Sequence, residues 1–177
     1  MCRSIQLTIF GLVLLGSIFC GSSAAYAAES CQPVFDSLMK VTTTPSHSYM
    51  THTAPFLRGG KPQSSETIYL DGKMYFNVDG KWTKGDVNPE DVEQEKEARA
   101  HSNATCQLVR TESVNGEVAA VYSLHSESPG HKEDEQVWIS KNKGLLLRFE
   151  QDVDLGGKVG KEHRSARFEY GNVRPPM

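Results

Sequence analysis

Gln136–Val153, QVWISKNKGLLLRFEQDV, decides the fold: it is two strand patterns joined by a Lys-Asn-Lys-Gly turn. Strand side chains alternate between faces, so Val137 and Ile139 share a face in the first arm, and Leu145, Leu147 and Phe149 share one in the second. Asn142 and Gly144 accept the positive φ that a tight reversal needs. The stretch reads as the central hairpin of an antiparallel sheet.

The neighbouring segments extend that sheet. Upstream, Cys106–Ser113 and Val118–Ser126 are strand patterns meeting at Asn115-Gly116, a strong hairpin signal. Between them and the central hairpin, Glu127–Glu135 is charged, contains Pro-Gly and reads as a loop. Downstream, a last strand is expected over His163–Tyr170. Earlier in the chain, Asp71-Gly72 and Asp79-Gly80 punctuate Ser65–Leu70, Lys73–Val78 and Lys81–Lys84 into a meander, and His47–Phe56 alternates loosely as a first strand. In the meander, Ile68, Leu70, Met74, Phe76 and Val78 read as one face, and Thr67, Tyr69, Tyr75 and Asn77 as the other.

Two helices complete the set. Val34, Phe35, Leu38, Met39 and Val41 fall at helical spacing before Pro45, which predicts an amphipathic helix docked on the sheet. Asn88-Pro89-Glu90-Asp91 is a helix start: Asn caps, Pro has no N–H to waste, and the acids face the positive end of the dipole. The residues that follow are almost all polar, with Glu95 and Arg99 spaced to pair, so this second helix is a surface crossover. The fold class is α+β: a curved antiparallel sheet of about eight or nine strands, an open half-barrel, with the N-terminal helix on its concave face.

The N-terminus carries Arg3, an apolar run over Ile5–Phe19 and Ala25-Tyr26-Ala27, the pattern of a secretory signal peptide cleaved near Ala27. The run is short for a membrane span and is interrupted by Gly11 and Gly16. Cys20 follows it as a lipidated cysteine would, but Phe19 stands where a small residue is wanted. Residues 28–177 then form one domain, with 18 basic residues against 22 acidic once Arg3 is gone, a net charge of −4. Mild acidity argues against nucleic acid, whose binding needs clustered Lys and Arg on one face. Cys31 and Cys106 are the two cysteines left, an even count in an exported protein, and they are expected to pair. The protein is expected in the periplasm or secreted, with no stable membrane anchor after cleavage. Asn103-Ala104-Thr105 matches a glycosylation sequon, relevant only in a eukaryote.

Catalytic and metal signatures are missing. His47 and His52 lie five apart on a strand pattern and project to opposite faces, while His101, His125, His131 and His163 form no ligand spacing. No nucleophile elbow, phosphate loop or dinucleotide fingerprint occurs. The expectation is no enzyme, no metal and no cofactor.

Val137-Trp138-Ile139-Ser140, the turn to Gly144-Leu145, and the ending Phe168-Glu169-Tyr170-Gly171-Asn172-Val173 with Pro175 resemble exported bacterial proteins of the LolA-like type, including the outer-membrane lipoprotein-sorting proteins. The resemblance covers most of the chain after residue 27. It implies an open half-barrel with helices on its concave side, a periplasmic location and acyl-chain binding, and it fixes no binding residue. The chain departs from those carriers in its shortness, its expected disulfide and its polar second helix. Two readings follow: a non-catalytic protein that holds a hydrophobic ligand or lipoprotein acyl chain between sheet and helix, and an envelope interaction module with a filled core. For the first, the candidate lining is Phe35, Leu38, Met39, Phe76, Tyr122, Leu147, Phe149 and Phe168.

Overall fold

The computed structural model describes residues 30–57, 59–101, 103–157 and 160–176. The signal-peptide reading and Cys20 lie outside these residues. In chain order the elements are α1 (Gln32–Thr43), β1 (Ser46–Thr53), β2 (Gln63–Leu70), β3 (Lys73–Val78), β4 (Lys81–Asp86), α2 (Pro89–Ala100), β5 (Thr105–Val114), β6 (Glu117–Ser128), β7 (His131–Ser140), β8 (Leu146–Asp154) and β9 (Lys161–Tyr170). All nine strands form one antiparallel sheet in the order β4-β3-β2-β1-β9-β8-β7-β6-β5. β4 and β5 are its two edges, and they do not pair, so the sheet is open.

The sheet curls about α1, which touches β2 on one flank and β7 and β8 on the other. α2 carries the chain from one edge strand to the other and packs on α1. Asn88 caps it, its side chain accepting from the Glu90 N–H at 3.1 Å, and Glu95 pairs with Arg99 at 2.5 Å.

The main core lies between α1 and the sheet. Val34, Val41, Cys106, Leu124, Val137, Ile139 and Leu146 are buried there, with Phe35, Leu38, Tyr69, Tyr122, Phe149 and Phe168 packed against them. Two links hold α1. A Cys31–Cys106 disulfide ties its start to β5, and at its last turn Lys40 donates to the carbonyls of Lys143 and Gly144, each at 3.3 Å. The disulfide is the pairing expected from the sequence, and it belongs to an oxidising, extracytoplasmic compartment.

The other face has a smaller core of Ala119, Val121, Trp138 and Leu147. Arg148 lies over the Trp138 ring at 4.6 Å, and the indole Nε1 donates to Glu112 at 2.5 Å. Trp138 is thereby sealed at 2 % exposure.

Three expectations need correction. Leu147 does not face α1: the register between β7 and β8 shifts, Trp138 pairing with Arg148 but Ile139 with Leu146. Two residues of β8 oppose one of β7, a bulge, so Leu146 takes the α1 side and Leu147 joins Trp138 on the opposite one. Leu145 precedes the strand altogether. In the meander, the two-residue turn at Asp71-Gly72 sets Tyr69 opposite Met74 and Ile68 opposite Tyr75. Paired residues share a face, so Tyr69 belongs with Met74 and Phe76, and Ile68 with Tyr75. Finally, Glu127–Glu135 is not a loop; it is the end of β6, a turn at Pro129-Gly130 and the start of β7, paired from Ser128–His131 inward.

Asn115 and Gly116 have φ of 51° and 83°, the left-handed pair of a two-residue hairpin. A Cβ at Gly116 meets nothing within 4 Å, so only backbone strain opposes a side chain there. Gly116→Ala is expected to lower stability by about 1 kcal/mol, read as a shift in the urea midpoint, whereas Asn115→Gly should leave it nearly unchanged.

Candidate functional site

α1 and α2 do not fill the concave side. Between them and β1, β2, β3, β8 and β9 a cleft of about 500 Å³ remains, bounded by Leu38, Met39 and Val41 of α1, Val92 of α2, and Met50, Tyr69, Met74, Leu146 and Phe168 of the sheet. Its wall is mainly apolar and rich in methionine, whose unbranched side chains adapt to ligands of varied shape. Its charged residues are Asp91, Glu95 and Arg99 of α2 and Asp86 at the end of β4. Tyr69 sits within the apolar wall and burial pushes its hydroxyl above the usual tyrosine range, so it stays neutral. A second opening of about 470 Å³ lies between Phe35, Met39 and Lys40 of α1 and Val92, Lys96 and Arg99 of α2.

The far end of the concave face is polar. Around a third space of about 270 Å³ stand Phe35 and Leu124 together with Glu95, Arg99, Ser126, Glu133, Glu135 and Gln151. Glu133 and Glu135 project on the same face of β7. The Gln151 amide Nε2 donates to both carboxylates, to Glu135 at 2.9 Å. Burial first, and then the hydrogen bond and charge of Glu133, push the Glu135 carboxyl up to about 7; Gln151 and Arg99 pull it the other way. Arg99 borders all three spaces, and its Nε is buried without a hydrogen-bond partner.

Of the lining candidates read from the sequence, the structure places Phe35, Leu38, Met39 and Phe168 on these walls. Tyr122 and Phe149 lie in the adjoining core. Phe76 is 38 % exposed on the same side of the sheet as Met74, beyond the cleft, and Leu147 is on the other face. Sequence reading missed Met50, Tyr69, Met74 and Leu146. The signal for Tyr69 and Met74 was present in the Asp-Gly hairpin, since a two-residue loop fixes which residues oppose each other. Among the described residues, no group of three or more His, Cys, Asp or Glu is placed to hold a metal ion. Five histidines are instead set against one or two carboxylates, as His47 is to Glu66 at 2.9 Å and His125 to Asp134 at 2.7 Å and Glu127 at 3.8 Å.

An open, curved antiparallel sheet with two helices on its concave face defines the architecture, the one expected of a LolA-like protein. Among solved structures the chain is similar to Mycobacterium tuberculosis lipoprotein LppX, at 13 % identity over 81 % of this chain and 97 % of that one, with a TM-score of 0.47. It is similar to LprF from Mycobacterium bovis at 11 % identity over 85 % and 97 %, with a TM-score of 0.42. A putative outer membrane lipoprotein-sorting protein domain from Vibrio parahaemolyticus also matches, at 8 % identity over 81 % and 93 %, with a TM-score of 0.24. No family model matches the chain, and no curated protein does.

Proposed function

We propose that the protein binds a hydrophobic ligand, such as a lipid or lipoprotein acyl chain, in the cleft between α1, α2 and the sheet, and that it catalyses no reaction. The observation that carries this reading is the cleft itself: about 500 Å³ bounded by Leu38, Met39, Met50, Tyr69, Met74, Leu146 and Phe168. That size and character are typical of small-molecule sites, which are concave and mainly apolar with few polar groups. An interaction module with a filled core would leave no such space. The disulfide supports a place outside the cytoplasm, and a periplasmic location fits an acyl-chain binder.

Displacement of an environment-sensitive fluorescent fatty acid tests the reading. Binding is expected in the micromolar range, with release of the probe by unlabelled acyl chains. Met39→Glu, which sets a carboxylate on the apolar wall, is expected to weaken it by at least about tenfold. No bound probe at millimolar protein, and no apolar ligand retained in native mass spectrometry after mild extraction, would remove the proposal.

A further inference from the structure

The geometry points to a second, polar subsite: the space floored by Glu133, Glu135 and Gln151, under the last turn of α2, receives a primary ammonium group on the ligand whose chain lies in the apolar cleft. This rests on the ligand reading above and names the chemistry of the head group. Glu95 and Arg99 are walls of both spaces, so one amphiphile passing Arg99 reaches both.

The floor offers acceptors. Gln151 is 8 % exposed and lines the space; with its Nε2 given to the two carboxylates, its Oε1 is buried and has no hydrogen-bond partner. A buried acceptor without a donor is costly, and a primary ammonium carries three N–H donors. Glu133, Glu135 and the Gln151 Oε1 are three acceptors for them. A quaternary ammonium has the charge and none of the donors. A carboxylate or phosphate head has neither, and it would enter a space where three carboxylates, Glu95, Glu133 and Glu135, face one guanidinium.

The surrounding groups compensate that negative charge only in part. Arg99 favours ionised Glu135, but its Nη2 is paired with Glu95 on its own helix at 2.5 Å, and its Nε has no hydrogen-bond partner. From β6, the Ser126 hydroxyl donates to Glu133 at 3.2 Å, and on β7 His131 stands 3.8 Å from it. On β9, Arg164 lies across from Gln151 but is paired with Glu162 at 2.5 Å, which also meets His52 at 3.2 Å. α1 brings only Phe35 to this space. An arriving ammonium therefore favours ionised Glu135, and below about pH 7 its binding expels a proton from the carboxyl pair.

Three ten-carbon probes separate the contributions: decanol, decylamine and trimethyldecylammonium, titrated by calorimetry against the whole disulfide-bonded protein at pH 6 and pH 8. At pH 8 decylamine is expected to bind at least about tenfold tighter than decanol, and trimethyldecylammonium to lose most of that margin. Only the cations should gain affinity between pH 6 and pH 8, and at pH 6 decylamine binding should release a proton, seen as heat that varies with the buffer. Glu135→Gln should erase the amine preference, and decanol titrated on the same variant reads the apolar cleft alone. Decanol binding with no advantage for decylamine would overturn the subsite and leave the acyl-chain reading standing. If none of the three binds, both fall.

Discussion

Replacing Cys31 and Cys106 together by alanine is expected to destabilise the protein by about 3–5 kcal/mol, lowering its thermal midpoint by roughly 10 °C. The bond closes a loop across 75 positions, which restricts the unfolded chain more than a short bridge would. It also acts in the folded state, adding to the burial of Val34 and to the hydrogen bond that the Ser30 hydroxyl accepts from the Gln32 N–H at 3.1 Å. Cys31 sits at the N-cap position with no side-chain cap, and that turn carries no acidic residue against the dipole. Thermal unfolding of the variant, compared with wild type before and after reduction, measures the effect. Equal midpoints for the oxidised and reduced wild type would show that packing of Val34 and Val41 alone seats the helix. In the variant, proteolysis is expected to start near residue 31.

The second large effect is a dependence on pH. Glu135 is an acid whose folded value, about 7, lies above its ordinary 4.5, so between those values the folded state holds more proton than the unfolded one. Stability then falls as pH rises from about 4.5 to about 7 and levels off above, by roughly 3 kcal/mol at most. Glu112 and Glu117 have the opposite tendency. Arg110 and Trp138 hold the first below the usual carboxylate range, and Ser140 and Lys143 the second, so their contribution is lost only in stronger acid. A stability maximum near pH 5 is expected. Urea unfolding from pH 5 to pH 8 should show the decline in wild type and a much flatter profile in Glu135→Gln, which carries no titrating proton there. A flat wild-type profile would mean that water reaches the carboxyl pair freely.

Much of this architecture is written locally in the chain. Asp71-Gly72, Asp79-Gly80 and Asn115-Gly116 each adopt paired positive φ values, so those three hairpins could be placed from dipeptides alone. The two helices were equally legible, one from its apolar stripe and the other from its Asn-Pro start. The bulge in β8 was not. Leu145, Leu146 and Leu147 are three identical residues in a row, and nothing in them says which faces the helix. That is settled by Trp138, whose ring needs a partner on the far side and takes Leu147 and Arg148. The charged ends of β6 and β7 were obscured for a related reason: Lys132, Asp134 and Glu127 look like solvated loop, yet the backbone beneath them is fully laddered. The polar end of the concave face was hidden in the same way, since Glu133 and Glu135 gain their meaning only when β8 brings Gln151 beside them.

α1 is a beam clamped at both ends. The disulfide fixes its start, while its last turn is held by Lys40, by burial of Val41 and by the Ser46 hydroxyl, which donates to the Val41 carbonyl at 2.8 Å where the chain enters β1. The apolar cleft lies along its second half, beside Leu38, Met39, Val41 and Thr42. That wall is therefore stiff, and a longer or bulkier guest must find its room on the side of α2, whose polar helix packs on α1. Tolerance to added methylenes should then depend on Val92 and its neighbours on α2 more than on the seating of α1.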